Sequence, residues 1–201
     1  MRSKTLITGI ALAGLIVASI GCGKQVRRID PDRTTDLSGK WNDTDSRLVA
    51  EEMISDCLTR PWYTSKYAAK QPIPTIIVGD VRNKSHEHIN VETFVKDLER
   101  NLINSGKVEF VASRKEREQL RNEIESQQEH ASEETKKDQF EESGADLMLI
   151  GSINTIADQE GRDRVMYYQV DLELIELQTH KKLWIGTKKI KKYISRANAT
   201  L

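Results

Sequence analysis

Few side chains in this 201-residue chain combine the type and the spacing that chemistry needs. His86-Glu87-His88 is the densest cluster of ligand types. Alternate histidines in an extended segment face one side, where Asp80 or a more distant acid would complete a metal site. Histidines in a polar loop ahead of a helix are more often solvated, so no metal is expected at His86 and His88. Asp43 and Asp45 are paired carboxylates, but beside Ser46 and ahead of a helix they suit capping better than a glycosidase's two acids across a cleft. Cys57 shares an apolar stripe with Val49 and Met53, next to Ala50, Ile54 and Leu58. A nucleophilic thiol needs a polar, electropositive setting, so Cys57 reads as core. No GxGxxG, Walker, GxSxG, HExxH or CxxC pattern occurs. The expectation is a protein without catalytic residues, metal or cofactor: not an enzyme.

Cys22 is different, because of what precedes it. Arg2 and Lys4 make a positive start, Leu6 to Ile20 is apolar apart from Thr8 and small residues, and Ser19-Ile20-Gly21-Cys22 closes the run. These are the parts of a secretory signal. Fifteen residues rise about 22 Å as a helix, short of a hydrocarbon core of about 30 Å, so a permanent span is disfavoured. A cysteine directly after the small residue resembles the lipobox of bacterial lipoproteins, with Ser19 where Leu is usual. That resemblance implies cleavage before Cys22, acylation of its thiol, and a stable anchor from more than one chain. Residues 1–21 are then the signal, 22–40 the lipidated cysteine and a tether, and 41–201 a globular domain. Gly23 and Lys24 after the cysteine offer no aspartate of the kind that often marks inner-membrane retention. The expected location is therefore the outer membrane, facing the periplasm.

Lys plus Arg and Asp plus Glu number 31 each, so no net field points to nucleic acid. With 31% charged and 37% hydrophobic residues, the rest is globular. With Cys22 acylated, Cys57 has no disulfide partner. Gly23 to Lys40 is polar, without an apolar period, and reads as the tether, about 60 Å long when extended.

The elements follow from period and punctuation. Asn42 to Asp45 offer caps for a helix through Leu58, which Arg60-Pro61 ends. Thr75 to Val81 is a β-branched, buried strand. Asn90 caps a helix with Val91, Phe94, Val95, Leu98 and Leu102 on one face, closed by Gly106. Lys107 to Val111 is a short strand, and Ser113 with Glu116 opens a third, weakly apolar helix with Leu120 and Ile124. Ser132 caps a further helix that buries Phe140. Strands follow at 146–153, at 166–174 by alternation, and from Leu183 through Ile194. This order, βαβα(α)βββ after a first helix, predicts an α+β domain with an antiparallel C-terminal half.

Two surfaces offer themselves for binding. Trp41, Trp62 and Tyr63 flank the first helix and form either an exposed aromatic patch or, with aromatics so scarce, part of the core. Lys181, Lys182, Lys188, Lys189, Lys191, Lys192 and Arg196 load the last hairpin with positive charge. On a strand Lys188 and Lys192 share one face and Lys189 and Lys191 the other. Either the lysines protect an edge strand, or Lys188 and Lys192 dock an acidic partner.

Residues Leu37 to Ser46, Gly106 to Ser113, Gly144 to Gly151 and Gln178 to Trp184 resemble the LpoB family of penicillin-binding protein activators, across about Asp36 to Ile194. The resemblance implies a TolB N-terminal-like domain with a mixed sheet flanked by helices. It also implies an outer-membrane lipoprotein without catalysis of its own, which binds and stimulates a bifunctional penicillin-binding protein, a peptidoglycan synthase. A structural or assembly lipoprotein related to curli-secretion proteins is the alternative; its membrane strands would have to come from the C-terminal hairpin, whose lysines on both faces oppose insertion.

Overall fold

The computed structural model describes residues 26–68, 73–130 and 142–195. Cys22, Ser132, Phe140 and Arg196 lie outside the described residues. Two compact units divide the chain, 1–33 and 34–201. In the first, the Arg33 amide donates to the Asp30 carbonyl, 3.1 Å away, in a turn. All elements below belong to the second.

Helix α1 spans Asp43–Cys57. Asn42 accepts from the Asp45 amide and Asp45 from the Asn42 amide, each at 3.0 Å, a reciprocal capping box that starts the helix one turn ahead of its apolar stripe. After Pro61 a single turn, α2 (Pro61–Thr64), tucks Trp62 under the end of α1, its indole donating to the Cys57 carbonyl at 2.8 Å. Strand β1 (Thr75–Asn83) leads to α3 (Val91–Asn104), capped by Asn90 and closed by Gly106 at φ 63°. Strand β2 is only Glu109–Phe110, shorter than its apolar run suggested. Helix α4 (Arg114–His130) buries no side chain. Strands β3 (Leu147–Glu160), β4 (Asp163–Glu176) and β5 (Lys182–Ser195) complete the fold.

The sheet order is β2-β1-β3-β4-β5, with β1 parallel to both neighbours and β3, β4 and β5 antiparallel. The expected α+β class and antiparallel C-terminal half are the ones found. β3 runs well past the expected end at Ile153, because its polar second half pairs residue for residue with β4 up to Glu160.

Helices α1 and α3 pack on each other and against one face of the sheet. The core between them holds Val49, Met53, Ile54 and Cys57 of α1, Phe94, Leu98 and Leu102 of α3, and the inner rows of the strands. On β4 that row is Met166, Tyr168, Val170, Leu172 and Leu174, all buried, alternating with half-buried residues. Both tryptophans of the aromatic group join this core: Trp62 is buried, and Trp41 leans on Tyr168 and meets Phe94 edge-on. The exposed aromatic patch is not formed.

Candidate functional site

Strand β5 is an edge of the sheet and carries the basic cluster. Its inner row runs Trp184, Gly186, Lys188, Ile190, Lys192, Ile194, and its outer row Ile185, Thr187, Lys189, Lys191, Tyr193. Trp184 lies over Gly186 and donates its indole N–H to Asp56 of α1 at 2.9 Å. That position is open only because residue 186 is glycine: a Cβ there would stand 2.1 Å from the Trp184 ring.

Further along the inner row, Lys188 pairs with Glu52 of α1. Lys192 is deeper, its side chain only 10% exposed, and its ammonium meets Asp36 and Asp45 at 2.6 Å each and the Lys40 carbonyl at 3.1 Å. Burial pulls the Lys192 pKa down, but the hydrogen bonds to Asp36 and Asp45 outweigh it and hold the ammonium above its ordinary value. The same hydrogen bond from Lys192 holds the Asp36 carboxyl below its ordinary range, against the opposing effect of burial.

Lys188 and Lys192, the pair expected to dock an acidic partner, are both engaged within the chain. Alternation separates the two lysine pairs as predicted, but the 188/192 face looks toward α1 and a strap at residues 34–40, and both charges meet intramolecular acids. Lys189 and Lys191 occupy the outer face instead, exposed and without an ion-pair partner among the described residues. Ile185 (59% exposed) and Tyr193 (66%) flank them in the same row. On neighbouring β4 the facing residues are Glu173, Asp171, Gln169, Tyr167 and Val165. The outer row of β5 is therefore a basic stripe with an apolar or aromatic residue at each end, the composition of a binding anchor with a steering charge.

The strap that Lys192 holds is a second feature the sequence did not announce. Asn42 donates to Asp36 at 2.7 Å, and the Trp41 indole donates to Ser46 at 2.8 Å. Glu87 is the hub beneath it: one carboxylate oxygen accepts from the Trp41 amide at 3.2 Å and from the Tyr168 hydroxyl at 2.9 Å. Burial first, and then the bond to Glu87, raises the Tyr168 pKa. His86 and His88, the residues that drew notice to this loop, are exposed to solvent. Among the described residues no group of three metal-ligand side chains comes together. Asp45 does cap α1, as its position suggested, and also accepts from Lys192. Cys57 is buried, and burial pushes its thiol pKa up to about 12.

The sequence model of a family described as peptidoglycan-synthase activator LpoB matches residues 45–190. Among solved structures, the LpoB C-terminal domain from Salmonella enterica aligns at 15% identity and a TM-score of 0.42, covering 74% of this chain and 99% of that one. The LpoB C-terminal domain from Escherichia coli aligns at 16% identity and a TM-score of 0.41, with the same coverage. Lipoprotein GNA1162 from Neisseria meningitidis aligns at 13% identity and 0.41, over 63% of this chain and 88% of that one. Compared by sequence with curated proteins, the chain has no match.

Proposed function

We propose, from the premise that this chain belongs to the LpoB family of peptidoglycan-synthase activators, that it is a lipid-anchored, non-catalytic activator that binds a bifunctional penicillin-binding protein. The family match, which spans α1 through most of β5, is the observation that carries this reading. Cys22 is the lipidated residue, and the anchor lies in the outer membrane with the domain facing the periplasm. Activation by binding requires that the domain prefer the active state of the synthase over the inactive one.

Docking is assigned to the outer row of β5, with Lys189 and Lys191 meeting an acidic patch of the partner and Tyr193 and Ile185 packing at its ends. The test is crosslinking in intact envelopes followed by mass spectrometry of what the chain captures, with Lys189→Glu/Lys191→Glu beside wild type. A penicillin-binding protein should be captured, and the double variant should associate more slowly. Rim charges act mainly on the encounter rate and the Debye length at 0.15 M salt is about 8 Å, so the deficit should shrink at high salt. Lys115→Glu on α4 is the control. Capture of only further copies of this chain or of secretion components would favour the assembly-lipoprotein alternative instead. Binding that the double variant leaves unchanged would move the docking surface off β5.

A further inference from the structure

At one end of the sheet's inner face the helix layer stops and the strap takes its place. Gln159, Arg164 and Ile194 lie side by side there on β3, β4 and β5. Together with the strap they enclose a cavity of about 470 Å³. Arg164 is half-buried, and its Nε is shielded from solvent yet hydrogen-bonds to nothing. Arg164 forms no ion pair among the described residues. Arg162 and Lys40 line the same cavity, and Met166 and Ile194 give it an apolar floor. The acid in the lining is Glu87, one of whose carboxylate oxygens is turned to the Trp41 amide and the Tyr168 hydroxyl; its negative charge is outnumbered in the lining by Lys40, Arg162 and Arg164.

A guanidinium offers a rigid fork of N–H donors that fits the two oxygens of a carboxylate or phosphate. Leaving a shielded donor of a charged group without an acceptor is costly, and native structures rarely do so without a reason. We propose that this cavity is an oxyanion-binding site, in which Arg164 takes a carboxylate or phosphate group in forked hydrogen bonds and Lys40 and Arg162 supply the field that attracts it. Because Leu37, Ser38 and Lys40 form one wall and the β3–β4 hairpin the other, the bound anion also fastens the strap to the sheet.

The experiment uses the full-length protein in detergent, titrated with inorganic phosphate and separately with acetate, with ionic strength held constant by chloride. The readouts are the ¹⁵N-detected Nε–H signal of Arg164 and the melting temperature. A saturable shift of that signal, with a rise in melting temperature, is expected for at least one anion, and the stronger of the two identifies the group. Arg164→Lys keeps the charge and the fold but loses the fork, so its affinity should fall about tenfold or more. Arg164→Gln should abolish the melting shift. No saturable shift with either anion, or a variant that binds as wild type does, overturns the site. Since no synthase enters this measurement, its outcome is separate from that of the docking experiment.

Discussion

Lys188 and Lys192 look equivalent in the sequence, two lysines on one strand face, yet they should behave differently when removed. Lys192→Met leaves Asp36 and the nearly buried Asp45 facing each other without their shared cation, which should cost about 1–3 kcal/mol in urea denaturation. Lys188→Met gives up a pair whose acid, Glu52, is 60% exposed, worth at most about 1 kcal/mol. Equal losses would mean that the Lys192 cluster is solvated. The pH dependence has a definite sign. Asp36 has a folded pKa below its ordinary 3.8, so its contribution is present above that value and disappears as pH falls through the lower folded value. The gap between wild type and Lys192→Met should accordingly narrow below pH 3.8. At this scale the sequence was partly legible. Cys57 declared itself as core through its stripe, whereas Glu87 was hidden between two histidines, and nothing local shows that a loop carboxylate will receive the hydroxyl of Tyr168, far along the chain. Cys57 should resist alkylation in the native protein and react only on unfolding; fast native labelling would contradict its burial.

Whole elements show why some features could be read and others not. The capping box at Ser113 and Glu116 was legible because it is local, and the Glu116 carboxylate does accept from the Ser113 amide at 2.8 Å. Helix α4 has no buried side chain to hold it, so its start depends on this box and on Lys96, which reaches Glu116 from α3 at 2.9 Å. Lys96 and then Ser113 hold the Glu116 pKa down to about 2 from an ordinary 4.5. That stabilisation is complete above 4.5 and lost on the way down to about 2, so protection factors in α4, taken against the intrinsic exchange rate at each pH, should fall over this range while those in α3 hold. Loss of protection in both helices together would refute a local anchor. Strand β5 is legible in its alternation, but alternation alone does not say which face looks inward. The clue was present: the row with Trp184 also holds Ile190 and Ile194, so the more apolar row turns to α1 and carries Lys188 and Lys192 with it. Gly186→Ala tests that packing. Its methyl needs the space of the Trp184 ring, so the indole should swing away from Asp56, seen as a changed tryptophan fluorescence and a destabilisation of about 1–3 kcal/mol.

For the molecule as a whole, the decisive quantity is reach. The resemblance legible between Asp36 and Ile194 brackets the family match at 45–190, but the compact unit begins at Thr34, ahead of the Trp41 that marks its start by composition. Residues 34–40 are fastened to the domain through Asp36 and Lys192, an interaction between chain ends that no local pattern reveals. With Cys22 as the proposed lipid anchor, Gly23 to Arg33 would be left to span the distance, at most about 40 Å. An anchored activator meets its synthase at an effective concentration set by that span, near zero when the linker falls short and declining again as it grows beyond the need. Inserting a flexible Gly/Ser segment between Arg33 and Thr34 therefore gives opposite results in the two regimes. With so short a span we expect the first: synthase activation in cells should rise with the insertion, while the affinity measured with purified proteins in detergent stays unchanged. Cys22→Ala should release the protein from the membrane fraction and lose the cellular effect but not the purified one. An insertion that lowers activation would show that the natural span already suffices, and an effect of equal size in detergent would show that the linker acts on the docking face itself.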